Sequence, residues 1–331
     1  MLKLNTSPRR ITIDTNPDQC NLKCIMCDTH SIYNKNLKRG RLRMPKELLE
    51  TLLHQAIESG VQEIIPSTMG EPLMYPYFKE TFVEILTNSP TTKLNLTTNG
   101  TFPKYGVEKW GEMLLPITSD TKISLNGISP TNNEKIMIGV CTENSIENIK
   151  NYLKIRDSVR KSYAVHIPTV TLQVTFMRDS LQGIEEVIKF AIDYNVDRVK
   201  GHHLWVTHPE LKHNDLRTPE NEGLWDNFIE KIEPYKKQIK LEGFVKLAQE
   251  NLQDPDGYEC PFLGKELWID HTGKYNVCCA PSNLREYLGN FESVHNLPIN
   301  DFFQQSSYIE LIHNYKNKNP CDNCLLRKSV E

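Results

Sequence analysis

Six short runs rich in apolar and β-branched residues, Ile11 to Thr15, Glu63 to Pro66, Lys93 to Thr97, Lys122 to Leu125, Thr169 to Phe176 and Arg198 to His202, read as strands. Between them, apolar residues recur at three and four over Pro45 to Ser59, Tyr77 to Thr87, Ser145 to Asp157 and Leu181 to Tyr194. That is the period of a helix with one buried face. Strand and helix taking turns predicts parallel βα units, hence the α/β class. Six units predict an open, partial (β/α)6 TIM-like barrel, whose chemistry belongs on the loops at the carboxyl ends of the strands.

From Pro209 to Asn251 the pattern becomes charged and helical, with breaks at Pro219 and Pro234, and Asp254-Pro255-Asp256-Gly257 reads as a turn. A boundary is expected there, with a barrel and helical linker over 1–253 and a small C-terminal domain over 254–331. The second part carries a strand-turn-strand pattern around His271-Thr272-Gly273-Lys274 and a helix-like stretch leading to Cys321 and Cys324.

Composition narrows the function. A chain of 331 residues, 38% hydrophobic, has room for a large core. The net charge of -3 and the mixing of both signs leave no basic field for nucleic acid or anionic lipid, so neither is an expected partner. The basic start, Met1 to Arg10, is followed by no apolar stretch of signal-peptide or membrane-spanning length, and a soluble cytoplasmic protein is expected. Nine cysteines, clustered on a large chain without an export signal, point to metal ligation by reduced thiolates rather than to disulfides.

Cys20, Cys24 and Cys27 follow directly on the first strand, which gathers three thiolates on one loop at the barrel mouth. Three ligands on a four-iron cube leave one iron open, and an open iron can be chelated by the amino and carboxylate groups of a methionine moiety. The alternative is a closed zinc site with His30 as fourth ligand.

The CxxxCxxC spacing resembles the signature of the radical S-adenosylmethionine superfamily over roughly the first 205 residues. The resemblance implies a 4Fe-4S cluster on Cys20, Cys24 and Cys27 whose open iron binds S-adenosylmethionine, reductive cleavage to a 5'-deoxyadenosyl radical, and an electron donor such as flavodoxin or ferredoxin. Met69-Gly70-Glu71-Pro72 is similar to the family's GGEP element, with Met69 in place of the first glycine, which implies that Gly70, Glu71 and Pro72 receive the methionine amino group. Thr98-Asn99-Gly100 and Ser124-Leu125-Asn126-Gly127 resemble its TNG and S-I-D-G segments, which places Asn99, Ser124 and Asn126 near the cofactor. Met26 stands where the family often has an aromatic residue beside the adenine, or simply packs. Taken singly, the glycine and asparagine elements are ordinary turn residues.

Cys260, Cys278, Cys321 and Cys324 can close a second site. The arrangement, with Leu288-Gly289-Asn290-Phe291, resembles the twitch domain, a shortened SPASM domain found in 2-deoxy-scyllo-inosamine dehydrogenase-type enzymes, and implies an auxiliary 4Fe-4S cluster. Cys279 adjoins Cys278, and either could be the ligand by spacing alone; four-cysteine zinc uses the same set. A cluster with four protein ligands has no vacant iron and suits electron transfer.

The expected reaction is oxidation or epimerisation. Cys141, after the fourth strand, is the candidate hydrogen donor for epimerisation, against a buried, inert thiol as the plain reading. His202 and His203 end the sixth strand as candidate substrate contacts or proton acceptors, and strand alternation lets only one face the cavity. Arg178, ending the fifth, is a candidate anion contact. With about ten residues before the first strand, no separate leader-recognition domain is expected at that end, and a sugar or cyclitol is preferred as substrate. The alternatives are a maturase modifying a peptide or protein side chain and, in another class, a zinc-stabilised binding module.

Overall fold

The computed structural model describes residues 7–35, 42–66, 69–162, 167–247, 258–280, 285–319, 321, 324 and 328–329. Strands β1 (Arg10–Ile13), β2 (Glu63–Ile65), β3 (Lys93–Thr98), β4 (Thr118–Ser124), β5 (Thr169–Phe176) and β6 (Arg198–His203) pair parallel in chain order. They form the six-stranded arc that the alternation predicts.

Two additions were not legible. β7 (Lys240–Glu242) pairs parallel with β6 from within the stretch read as charged helix. After the short β8 (Tyr258–Glu259), β9 (Glu266–Ile269) pairs parallel with β1 and antiparallel with β10 (Tyr275–Asn276). The C-terminal hairpin therefore extends the barrel sheet to nine strands, while β11 (Lys328–Ser329) pairs with β8 apart from it. The turn at 254–257, where a boundary is expected, lies outside the described residues.

Helices α1 (Lys46–Glu58), α2 (Glu84–Thr87), α3 (Gly106–Leu114), α4 (Pro130–Asn133), α5 (Thr142–Ser162), α6 (Leu181–Asp193) and α7 (Glu222–Ile232) follow the strands, and α8 (Ile299–Gln304) and α9 (Ser306–Asn314) follow the hairpin. A π-helical stretch, Lys79–Val83, leads into α2. The apolar face of the sheet, including Ile11, Leu94, Ile123, Leu172 and Val174, is buried with Leu49, Leu52, Ile149, Val187 and Ile188 of the helices. Each such aliphatic side chain contributes about 1.5–3 kcal/mol on burial. Tyr275, Phe302 and Tyr308 from the C-terminal part join the same core.

The other face is a charged lattice. Arg10 pairs with Glu63 and with Glu266 at 2.5 and 2.9 Å, Arg198 with Asp120 and Glu242 at 2.6 and 2.9 Å, and Lys200 with Glu242 at 2.5 Å. Lys122 lies between Asp120, 3.7 Å away, and Asn95, and burial pulls its pKa down to about 8 against the attraction of Asp120. A register shift between β3 and β4 turns Ser119 inward as well, and its hydroxyl donates to Glu63 at 2.6 Å.

Alternation also separates the two histidines of β6. Arg198, Lys200 and His202 share the charged face, whereas His203 packs outside, 5.2 Å from the Phe176 ring and 4.8 Å from that of Trp225. Burial lowers the pKa of His203 from 6.5 to about 4. Between these pH values the unfolded chain takes up a proton that the folded chain refuses, so this group's contribution to stability is whole above pH 6.5 and lost as pH falls towards 4. His203→Phe is expected to flatten the decline of Tm over that window, as read by thermal unfolding at stepped pH; an unchanged decline would exclude His203 as its source.

Candidate active site

The cysteine loop leaves β1 and is tied to three other loops. Asn16 Nδ2 donates to the Glu71 carbonyl at 2.9 Å, and the Glu71 amide donates to the Gln19 carbonyl at 2.7 Å. Gly70, at φ +77°, closes this contact: a Cβ there would stand 2.4 Å from Asn16 O and 2.6 Å from Gln19 O. Met69, which stands in place of the element's first glycine, turns its sulfur to Thr29, whose hydroxyl lies 3.2 Å away. On the other side, the amides of Lys23 and Ile25 donate to Ile138 O and Ile136 O, each at 2.9 Å. Leu22, Ile136, Met137, Val140, Met177, Leu204 and Leu211 form a small separate core, against which Cys20, Cys24, Ile25 and Met26 pack.

A third tie crosses the mouth. His208, buried in the loop after β6, places Nε2 2.9 Å from the carbonyl of Cys27. A carbonyl only accepts, so the imidazole donates. The strands before these two loops, β1 and β6, are not neighbours in the sheet.

The sulfurs receive N–H donors. Cys20 Sγ accepts from the Leu22 amide at 3.4 Å and from Asn99 Nδ2 at 3.9 Å, and Cys27 Sγ from the His30 amide at 3.2 Å. Burial pushes the Cys20 thiol up to about 11, and with the neighbouring thiols it raises Cys24 further; Cys27 is raised by burial as well. His30 commits Nε2 to the Pro17 carbonyl at 2.8 Å. Among the described residues no three His, Cys, Asp or Glu side chains stand close enough to enclose a single metal ion. Three soft thiols on one loop, two of them with N–H donors aimed at sulfur, fit an iron-sulfur cube, whose corner irons spread their ligands more widely.

Glu71 is 2% exposed, and its carboxylate accepts from Thr98 Oγ1 and the Asn99 amide, each at 2.7 Å, and from the Leu73 amide at 3.3 Å, which caps the turn begun by Pro72. Burial still lifts its pKa to about 7. The side chain thus braces the loops after β2 and β3 against each other. Glu71→Ala leaves three buried donors without an acceptor and is expected to cost about 3 kcal/mol of stability, since each unmet buried donor costs about 1–3 kcal/mol. Denaturant unfolding of the metal-free protein checks this, and an unshifted midpoint would remove the brace.

Asn99 is held by Asn21 Oδ1 at 2.8 Å. Asn126 is buried, with Oδ1 accepting from the Thr175 amide at 2.9 Å, so it joins the ends of β4 and β5. Ser124 ends β4, half-buried on the inner face. Cys141, read in the plain case as buried, is exposed at the start of α5, its sulfur 3.9 Å from Glu143 Oε2. Arg178 is exposed. His208 and Asn16 escaped sequence reasoning, because neither belongs to a motif and His208 meets its partner 181 residues away.

In the C-terminal part, Cys260, Cys278, Cys279 and Cys324 converge. Burial, then the charges of Cys278 and Cys324, raise Cys260 to about 11. Cys278 is pulled down by a hydrogen bond from Cys279, helped by the Ala280 amide at 3.3 Å and by Arg285, while Cys279 is raised. Cys321 is buried, and its carbonyl accepts from the Cys324 amide at 3.3 Å.

A parallel partial barrel with a three-thiol loop after its first strand defines a class of enzyme. The chain matches the Radical SAM superfamily over residues 17–191, more than half its length, and belongs to that superfamily. Membership implies S-adenosylmethionine and a 4Fe-4S cluster as cofactors. Its structure is similar to that of Streptococcus suis SuiB bound to the precursor peptide SuiA (TM-score 0.67, 18% identity, 98% of this chain and 71% of that one). It is also similar to anSMEcpe with bound AdoMet (0.63, 18%, 92% and 80%) and to BtrN in complex with AdoMet and 2-DOIA (0.50, 15%, 100% and 95%). At these identities the likeness is one of fold. No curated protein matches the chain. Among the described residues no helix is long and apolar enough to cross a membrane.

Proposed function

We propose that this radical S-adenosylmethionine enzyme oxidises a small polar metabolite such as a sugar or cyclitol, with an auxiliary 4Fe-4S cluster accepting the substrate's electron. The observation that carries the reading is the second thiol group, in which Cys260 and Cys278 flank the β9–β10 hairpin and β9 lies directly against β1, the strand that delivers the cysteine loop. Cys20, Cys24 and Cys27 hold the first cluster, and Cys260, Cys278, Cys321 and Cys324 the second. When bound, the first cluster and S-adenosylmethionine supply a 5'-deoxyadenosyl radical after reduction by a flavodoxin or ferredoxin. Gly70, Glu71, Pro72 and Asn99 fix the loops around the cofactor, Ser124 and Asn126 shape the neighbouring strand ends, and Met26 packs beneath the loop. His202, on the inner face, takes the proton that a hydroxyl must lose as its carbon becomes a carbonyl. Reduced thiols in this number suit the cytoplasm.

The exposure of Cys141 favours epimerisation as the second reading, with its thiol returning a hydrogen atom to the substrate carbon. Anaerobic reconstitution tests both. About eight iron atoms per chain are expected, counting four per cube, together with 5'-deoxyadenosine formed in step with a carbonyl product. An inverted alcohol, lost in Cys141→Ala, would select epimerisation, and zinc in place of iron would overturn the enzyme reading.

A further inference from the structure

The inner face of the barrel has two tiers with different hydrogen-bond accounts. In the lower tier four cations, Arg10, Lys122, Arg198 and Lys200, stand against four anions, Glu63, Asp120, Glu242 and Glu266. Asp14, just past β1, is engaged as well. The upper tier, at the carboxyl ends of β4, β5 and β6, consists of Ser124, Gln173 and His202. Ser124 lies opposite Gln173, and His202 opposite Thr175, one step diagonal from Gln173.

Gln173 shares its face with Thr171, whose hydroxyl bonds Asp120, while Leu172 and Val174 on either side of it are buried in the apolar core. His202 shares its face with Arg198 and Lys200. None of the three upper side chains hydrogen-bonds another described residue, and all three are accessible to solvent. His202 is open at the mouth yet walled in by the barrel, and that enclosure, with Lys200 below, lowers its pKa from 6.5, which keeps the ring neutral at pH 7.

Resting on the oxidoreductase reading above, we propose that Gln173 and His202, with Ser124 beside them, form the substrate-facing wall of the barrel and bind the hydroxyl groups of an uncharged polyol. A phosphate or carboxylate entering the mouth would find the cations of β4 and β6 below it, Lys122, Arg198 and Lys200, already paired, and an unpaired charge moved out of water costs several kcal/mol. An apolar side chain would strip water from three polar groups and give nothing back, at about 1–3 kcal/mol for each. Neutral hydroxyls, which donate and accept, match a hydroxyl, an amide and a neutral imidazole.

The test uses the holoenzyme with both clusters, S-adenosylmethionine, and carbon-deuterated myo-inositol, scyllo-inositol and D-glucose, beside the phosphate esters of the same compounds. Deuterium is expected in 5'-deoxyadenosine from at least one neutral polyol and from none of the esters. Gln173→Leu and His202→Leu should each raise the KM for that polyol about tenfold, the loss of one hydrogen bond, with His202→Asn recovering part of it. Equilibrium binding of S-adenosylmethionine and thermal unfolding separate this loss from cofactor release and misfolding. Transfer from the esters alone, cofactor cleavage with no transfer from any neutral polyol, or unchanged KM in both leucine variants overturns the assignment and leaves the reaction class standing. Absence of cofactor cleavage by the wild type would instead overturn the reaction class.

Discussion

Replacing Cys24 with alanine is expected to abolish 5'-deoxyadenosine formation. Cys24 is the middle thiol of the three in the chain, and its pKa is raised by burial and then by both neighbouring thiols. A cube held by Cys20 and Cys27 alone leaves two irons without protein ligands, and no single open iron remains to chelate the methionine moiety. The loop itself should survive, because its amide bonds to Ile136 and Ile138, the Asn16 bridge and the His208 contact do not involve the Cys24 sulfur. Iron should fall by about four atoms per chain, one cube, with little change in thermal unfolding of the metal-free protein. Unchanged cofactor cleavage in Cys24→Ala would sink the assignment of the loop.

The barrel was legible because its signals are local. Six strands and the helices between them repeat at spacings that a short window of sequence reveals, and β5 and α6 begin at the residues their patterns predict. The cysteine loop was legible for the same reason, its three thiols falling within eight residues. What escaped depends on partners distant in the chain. Nothing near Glu266 says that its strand will lie beside β1, since that pairing spans more than two hundred residues. The three residues of β7 are too few to show a period. The resemblance implies a cofactor contact for Glu71 and for Asn126, but only the folded chain shows Glu71 holding three loop donors and Asn126 spending its amide oxygen on β5. Alternation along β6 allowed at most one histidine to face in; which one required the ion pairs of Arg198 and Lys200 to mark the inner face.

Removing the second cluster should separate cofactor cleavage from substrate oxidation. Cys260→Ala deletes a thiol that lies with Cys278 and Cys324 and accepts from the Leu263 amide at 3.4 Å, so the auxiliary site loses one of its proposed ligands. The loop of Cys20, Cys24 and Cys27 is supported from the ends of β2, β4 and β6, and none of those contacts passes through Cys260. 5'-Deoxyadenosine should therefore still form. A substrate radical left without an electron acceptor recombines or is quenched, so oxidised product should drop by more than tenfold while epimerisation is less affected. Losing a metal site can unfold a small segment and imitate a catalytic defect. Here Tyr275, Phe302 and Tyr308 pack in the main core, and Tyr308 accepts from the Gly264 amide at 2.9 Å, which anchors the hairpin without metal. Iron content and far-ultraviolet circular dichroism are the controls. If folded Cys260→Ala with about half its iron still oxidises substrate at the wild-type rate, the auxiliary cluster is not the electron acceptor.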